Sequence, residues 1–102
     1  MLLLLPLALA ADPANGRAIF EANCTSCHGL AGDGKGPAAF ALKVKPTDFT
    51  QPVWWGTRTD TDVSAAIRAG KPGTPMTGFA QLNEAQVGDL VAYLRALSRP
   101  VQ

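Results

Sequence analysis

The chain has 102 residues, 47% of them hydrophobic, and a formal net charge of +1, which fits one small globular domain. Its nine Lys and Arg residues are nearly balanced by eight Asp and Glu residues, so there is no basic stripe of the kind that a nucleic-acid-binding domain shows. A chain of this length buries only a small core, and such proteins often depend on a cofactor, a metal or a disulfide for part of their stability.

The first segment, residues 1–10, is typical of a secretory signal peptide. The apolar run ends in small residues, with Ala8 and Ala10 placed for cleavage after Ala10. The run is too short to span a bilayer, which takes about 20 apolar residues. No Lys or Arg precedes it, and a short amphiphilic tail that stays on the protein is the alternative. We expect export to the periplasm, a mature domain over 11–102 and no stable membrane insertion.

The next segment predicts a helix over 13–24. Asp12 can cap it, and Pro13 suits the first helical position, where its missing N–H is not needed. Gly16 and Phe20 fall on one side of this helix at helical spacing. The helix runs directly into a cluster of Cys and His residues.

The middle of the chain consists mainly of loops. Residues 29–37 contain four glycines and a proline, residues 38–43 are long enough for one helical turn, and residues 44–57 predict an extended loop. A helix is predicted over 60–69, because Thr59 and Asp62 have the spacing of a capping box and Gly70 is a good terminator. Prolines and glycines exclude regular structure from 71–79.

The last helix has the clearest pattern. Asn83 and Gln86 have the spacing of a capping box, and Pro100 lies just past the expected end. Gly88 costs this helix about 1 kcal/mol relative to alanine, without an evident reason. An apolar stripe at helical spacing is formed by Val87, Leu90, Val91, Leu94 and Leu97. With no strand pattern and no repeat, the fold class is all-α with long loops.

The stretch "CTSCH" holds both cysteines and the single histidine of the chain. Cys24, Cys27 and His28 stand at positions i, i+3 and i+4, which share one face of a helical turn. C-x-x-C-H is the attachment sequence of c-type haem. We therefore expect the two thiols to form thioethers with the haem and His28 to ligate its iron.

Other uses of these side chains fit less well. Zinc would need further Cys or His ligands, and the chain has none. A thioredoxin-like redox pair would lie near a βαβ pattern, which is absent. A plain disulfide between Cys24 and Cys27 is possible in an exported protein, but it leaves His28 unexplained.

The second axial ligand is expected to be Met76. No second histidine exists, and Met76 is the one methionine left after removal of the signal peptide. It lies in the loop over 71–79, which prolines and glycines make rigid. The alternative is a methionine that fills a gap in the core. Ligation by histidine and methionine raises the reduction potential and suits electron transfer.

The chain resembles a small bacterial class I cytochrome c over essentially its whole mature length. The motifs that carry the resemblance are "CTSCH", "GDGKGP", "GTPMTGF" and "LNEAQVGDLVAYLRAL". The resemblance implies one covalently bound haem c, ligated by His28 and Met76. It also implies N- and C-terminal helices that cross, with one shorter middle helix and long loops around the haem.

The resemblance implies roles for further residues. Gly16, Phe20 and Tyr93 match the family's contact between the first and last helices. Pro37 matches the loop proline whose carbonyl accepts the N–H of the ligating histidine, and Thr74 matches a hydroxyl that bonds a haem propionate.

Aromatic residues are the expected lining of the haem pocket. Phe40 and Phe49 are interpreted as its walls and Phe79 as a neighbour of the exposed haem edge. At least one of Trp54 and Trp55 is expected to line the pocket or bond a propionate. The alternative is that both tryptophans simply cover apolar surface.

The predicted function is one-electron carriage between periplasmic or membrane-bound redox partners. No catalytic constellation is visible, so we expect neither an enzyme nor a small-molecule substrate. Two alternatives are a haem-bearing electron-entry subunit of a dehydrogenase or oxidase, and a haem sensor or enzyme with a labile sixth ligand. Lysines on the haem-side loops suggest a partner with acidic groups, unless they are simply solvated; they are Lys35, Lys43, Lys45 and Lys71.

Overall fold

Helices are the regular elements of residues 10–98, which are the part of the chain that the computed structural model describes. The predicted signal peptide and Pro100 therefore lie, apart from Ala10, outside the described residues. The helices in chain order are α1 (Pro13–Asn23), α2 (Thr25–His28), a 3₁₀ helix (Ala39–Ala41), α3 (Pro52–Trp55), α4 (Asp60–Ala69) and α5 (Glu84–Ala96). In the described range, the closest approach to a strand is one isolated bridge between Gly70 and Thr77. The predicted all-α class is confirmed.

Helices α1 and α5 cross at a glycine. A Cβ atom on Gly16 would collide with the backbone carbonyl of Asp89, so no other residue fits here without moving α5. One turn further on, the fully buried Phe20 lies with its ring centroid 5.4 Å from that of Tyr93. The predicted contact between Gly16, Phe20 and Tyr93 is confirmed.

Hydrogen bonds to Asp89 hold the start of α1 against α5. The Asp89 carboxylate accepts hydrogen bonds from the Asp12 backbone N–H at 2.7 Å and from the Asn15 side chain at 2.8 Å. These bonds favour the ionised form, and they hold the pKa of Asp89 below its ordinary value of 3.8. The crossing thus combines close backbone contact at Gly16 with hydrogen bonds to the Asp89 carboxylate at the start of α1.

Helices α4 and α5 begin where the sequence predicts and α4 also ends there, whereas α5 ends at Ala96, before the last residue of the predicted apolar stripe. Both have complete capping boxes, from Thr59 with Asp62 and from Asn83 with Gln86. Gly70 ends α4 with a φ of 74°.

Among the described residues, no helix combines the length and apolar composition needed to cross a bilayer. The core draws on α1, α3, α4, α5 and the loop before α3, and consists of Phe20, Phe49, Trp55, Val63, Ile67, Val87, Leu90, Val91 and Leu94.

The loop predicted over 44–57 is wrong in one part, because α3 forms within it. Pro52 occupies the first turn of α3, where it suits a helix. Trp55 is buried, and its indole N–H donates to the Phe49 carbonyl at 2.8 Å. Burial of this large ring holds a single helical turn that has too few residues to show a periodic pattern.

The assignment of Phe40 as a pocket wall is also wrong. Its side chain is 83% exposed. The Lys45 ammonium donates to the carbonyls of Ala39 and Phe40, each at 3.2 Å, and this fixes the 3₁₀ turn with the phenylalanine ring outward.

Candidate cofactor site

The turn that carries the two cysteines lies where α1 passes into α2. Cys24 has a φ of −121° and separates the helices, so α1 ends at Asn23, one residue earlier than predicted. The His28 backbone N–H donates to the Cys24 carbonyl at 2.9 Å, which keeps the turn helical. Cys24, Cys27 and His28 consequently line the same cavity, of about 270 Å³, which we call the first cavity.

The imidazole of His28 is oriented by a backbone carbonyl. Its Nδ1 lies 3.2 Å from the carbonyl oxygen of Thr47. Because a carbonyl only accepts, Nδ1 must carry the proton, and the lone pair of Nε2 is left for a metal. Burial lowers the pKa of His28 below its ordinary value of 6.5, although the bond to Thr47 opposes this. The neutral imidazole that results is the form that ligates iron.

The acceptor is Thr47 and not Pro37, so the role predicted for Pro37 is corrected. The loop after His28 folds back on α2, because Gly36 donates to the Cys27 carbonyl at 3.0 Å and Ala38 to the Ser26 carbonyl at 2.8 Å. This path places Pro37 beside α2, and Pro37 lines neither of the cavities described here. A backbone acceptor has no residue-type signal, and the sequence offers a second proline loop, at Pro46, that brings Thr47 to the ring.

The two thiols are both unpaired in the structure and partly buried. Burial raises the pKa of Cys24 to about 11. A catalytic redox pair needs the opposite shift, since the thiolate is the reactive form. The environment of Cys24 is therefore unsuited to the attacking thiol of a thioredoxin-like pair. Within residues 10–98, no three His, Cys, Asp or Glu side chains come together as a metal site, so zinc gains no support either.

Met76 lines the first cavity together with His28. Its loop is closed by the Lys71 N–H, which donates to the Met76 carbonyl at 3.1 Å. Gly70 permits this closure, because a Cβ there would meet the Met76 carbonyl and the backbone of Gly78. The loop is thus tightly folded, and it brings the one thioether expected of the mature chain to the cavity that holds the imidazole.

Thr74 also lines the first cavity, but its hydroxyl is engaged. It donates to the Lys71 carbonyl at 2.7 Å and accepts the Met76 N–H at 3.3 Å. A carboxylate needs a donor, so a bond from Thr74 to a propionate would have to replace the bond to Lys71. The propionate role of Thr74 stays a prediction.

A second cavity, of about 400 Å³, lies beside the first. Both cavities are lined by His28, Thr47, Lys71 and Met76. The aromatic residues divide as follows: Phe49 and Trp54 line the second cavity, Phe79 lines the first, and Trp55 belongs to the core.

These cavities suit a flat group that has a metal at its centre. Such a group, placed between His28 and Met76, would extend into both cavities, whose volumes together fall in the range of about 300–1,000 Å³ usual for ligand sites. The thiols of Cys24 and Cys27 lie on one side only, in the first cavity. Two thiols, an imidazole nitrogen and a thioether are the donor set of a c-type haem.

The helical fold and this donor set define a small class I cytochrome c that carries one haem. The family model for cytochrome c matches residues 13–98, and the chain belongs to that family. Its members carry a covalently bound c-type haem with iron, and this is the cofactor of the protein. Relatives of this family transfer electrons.

Individual relatives agree with this assignment. The chain is 33% identical to the "Cytochrome c-553-like" protein of Synechocystis sp., covering 89% of this chain and 74% of that one. It is 34% identical to the cbb3-type cytochrome c oxidase subunit CcoP of Azospirillum brasilense, but this match covers only 32% of that subunit. A solved c-type cytochrome, KustC0563, has the same fold, with a TM-score of 0.69 over 82% of this chain and 98% of that one, at 22% identity.

Proposed function

We propose that this protein is a one-electron carrier whose haem is attached through Cys24 and Cys27 and whose iron is ligated by His28 and Met76. The observation that carries the proposal is that these four side chains line one cavity. The haem supplies an iron that cycles between ferric and ferrous. The chain's own residues supply the ligands, their orientation and an apolar surrounding.

Each ligand is suited to this task. The Thr47 carbonyl accepts the Nδ1 proton of His28, which strengthens the donation of Nε2 to a metal. The thioether of Met76 is a soft, neutral ligand, and it raises the reduction potential. A haem iron held by both His28 and Met76 would have no position open for oxygen or a substrate. The closed backbone of the Met76 loop limits the rearrangement that accompanies each electron.

Two substitutions at one position test the ligation. Met76→Leu keeps the volume, and such exchanges in a core usually cost less than about 1.5 kcal/mol; Met76→Ala removes the side chain. We expect both holoproteins to lose the weak red absorption band of sulfur-to-ferric-iron charge transfer, to have a lower reduction potential and to bind carbon monoxide when reduced. If Met76 only packs, the parent itself lacks the band, and the leucine variant keeps the potential of the parent. Carbon monoxide binding by the parent would instead favour a sensor or an enzyme with a labile sixth ligand.

Export to the periplasm is part of the proposal. The family match begins at residue 13 and α1 is capped by Asp12, which supports a mature domain that starts near residue 11. We expect mass spectrometry of the holoprotein to give Ala11 or Asp12 as the first residue. An intact Met1 would show that the N-terminal segment is retained.

The partners are proposed to be redox proteins that act as electron donor and acceptor. Lys45 and Lys71 line the first cavity, and no Asp or Glu from residues 10–98 does, which supports a partner with acidic groups around its own redox centre. An electron-entry subunit is the second candidate, because this chain is also similar to part of CcoP, which is a subunit of an oxidase. Purification from the native periplasm decides between them, since a subunit is recovered in a stable complex and a carrier is recovered alone.

A further inference from the structure

Asn15 and Gly16, in the first turns of α1, are both held by one residue of α5. The Asn15 side-chain N–H donates to the Asp89 carboxylate at 2.8 Å, and the backbone of Gly16 lies so close to the Asp89 carbonyl that a Cβ would collide with it. The contact with Asp89 therefore needs an amide donor at position 15 and a glycine at position 16. This requirement produces the dipeptide Asn-Gly, which occurs nowhere else in the chain.

An asparagine that precedes a glycine is chemically labile. The backbone nitrogen of the glycine attacks Cγ of the asparagine and forms a cyclic succinimide, while the Cγ–Nδ2 bond breaks and ammonia leaves with the proton of the backbone nitrogen. Water then opens the ring at either carbonyl and gives aspartate or isoaspartate. Glycine favours the attack, because it has no Cβ to obstruct its nitrogen. The other two asparagines of the chain precede Cys24 and Glu84, whose side chains hinder it.

The folded start of α1 opposes this reaction in two ways. The Gly16 N–H donates to the Asp12 carbonyl at 3.0 Å, which keeps the attacking nitrogen in the helical hydrogen-bond pattern. The Asn15 side chain is turned toward Asp89 by its own hydrogen bond. Asn15 is exposed, so water has access to it in the folded protein. The reaction therefore requires the first turn of α1 to open and to leave α5, which is a local unfolding step.

We propose that Asn15 is a site of spontaneous deamidation that its contact with Asp89 protects, and that deamidation releases the start of α1 from α5. The product places a carboxylate where the amide donor stood, opposite the Asp89 carboxylate, and the two like charges repel. No Lys or Arg pairs with Asp89 among residues 10–98, so no cation offsets this repulsion. The new carboxylate can also accept the Asp12 backbone N–H, as Asp62 accepts a backbone N–H at the start of α4. The helix then keeps a cap while its bonds to α5 are lost.

Peptide mapping of aged holoprotein tests the reaction. Isoaspartate at position 15 is measured against time in mildly alkaline buffer. Asn23 is the control in the same molecules, because its side chain is also exposed and donates a hydrogen bond, to the Ile19 carbonyl at 2.8 Å. We expect Asp89→Ala to deamidate at Asn15 about tenfold faster than the parent, which is the increase in local opening that follows from loss of one hydrogen bond to a charged group. Equal rates in the two proteins would overturn the protection by Asp89.

The consequence of the reaction is tested with Asn15→Asp, which reproduces the charge of the product. We expect the pKa of Asp89 to rise in this variant, because Asp89 loses donors that lower its pKa and gains a like charge beside it. Amide hydrogen exchange in the first turn of α1 should also become faster. The matched control adds Asp89→Asn, since the amide introduced at position 89 can donate to the new carboxylate, and both variants keep that carboxylate at the start of α1, where the helix dipole favours it. Exchange should return toward that of the parent in the double variant. Exchange that is unchanged in Asn15→Asp, or equally fast in both variants, would contradict release from α5.

The unaltered protein decides the question if Asp89→Ala does not fold. Isoaspartate at Asn15 should form faster in urea than in buffer, and in urea it should form faster at Asn15 than at Asn23. Equal rates with and without urea, or equal rates at the two asparagines of the unfolded chain, would overturn the proposal. Asn15, Gly16 and Asp89 line neither cavity, so the inference does not depend on the proposed ligation of iron. A failure of that ligation would show in the red absorption band and would leave the peptide map valid.

Discussion

The ring of Phe49 is stacked on the imidazole of His28, with 4.8 Å between the centroids and 29° between the planes. Phe49 is fixed in turn at its backbone, where its N–H donates to the Gly32 carbonyl and its carbonyl accepts the indole N–H of Trp55, both at 2.8 Å. With the Thr47 carbonyl on Nδ1, the segment from Thr47 to Trp55 determines how the proposed iron ligand is oriented.

Trp55→Phe should destabilise the protein by removing the donor to the Phe49 carbonyl. An unsatisfied buried acceptor costs about 1–3 kcal/mol, and the smaller ring adds a packing loss. Chemical unfolding of the holoprotein measures this. Trp54→Phe is the matched control, because Trp54 is partly buried and its indole makes no hydrogen bond to the described residues. Equal losses of stability in the two variants would show that the hydrogen bond of Trp55 contributes little to the free energy of unfolding.

The same exchange at two glycines should have opposite effects. Gly16→Ala places a methyl group against the Asp89 carbonyl, and overpacking of this kind costs about 1–3 kcal/mol. A Cβ on Gly88 meets nothing within 4 Å, and Gly88→Ala should stabilise α5 by about 1 kcal/mol. Denaturant midpoints of the two holoproteins provide the comparison. A loss of stability for Gly88→Ala would mean that this glycine serves a contact absent from the described residues.

Asp89 should make stability depend on pH at the acid end. Its pKa is lowered in the folded state, so the ionised carboxylate stabilises the protein above its ordinary pKa of 3.8, and this contribution is lost as the pH falls through the folded value. Asp89→Asn should therefore be less stable than the parent near neutral pH, and the gap should close as the pH falls through the lowered pKa of Asp89. Unfolding of both proteins across this range measures the gap, in which effects common to both cancel.

The proposed thioethers predict that the colour stays with the protein in acid–acetone. Single variants Cys24→Ala and Cys27→Ala should each keep one bond, and their reduced spectra should shift toward that of a haem with one remaining vinyl group. The double variant should release its haem to the organic phase. Colour that leaves the unaltered protein would overturn covalent attachment at these residues.

The helices were largely predictable because their signals are local. Thr59, Asp62 and Gly70 give α4 its start and its end, and the apolar stripe gives α5. The gathering of Cys24 and His28 in one cavity follows from helical geometry alone. That Met76 lines the same cavity depends on a contact between residues far apart in the chain, and it was predictable because Met76 is the one methionine expected in the mature chain.

Three features of the structure could not be predicted from the sequence, and each has a physical reason. The acceptor for His28 is a backbone carbonyl, which every residue carries, so nothing in the sequence distinguishes Thr47 from Pro37. The turn of α3 is too short for periodicity, although Pro52 was a visible start signal. The exposure of Phe40 depends on Lys45, whose ammonium bonds two carbonyls five and six residues away.

The crossing of α1 and α5 is built from residues that lie away from both cavities. Gly16, Phe20, Asp89 and Tyr93 hold the helices together, and none of them lines either space. The contact that holds the first and last helices together is therefore separate from the surfaces of the two cavities, although Leu94 of α5 lines the second cavity. A substitution in the loops that line the cavities can change the surroundings of the haem without touching the contact at Gly16.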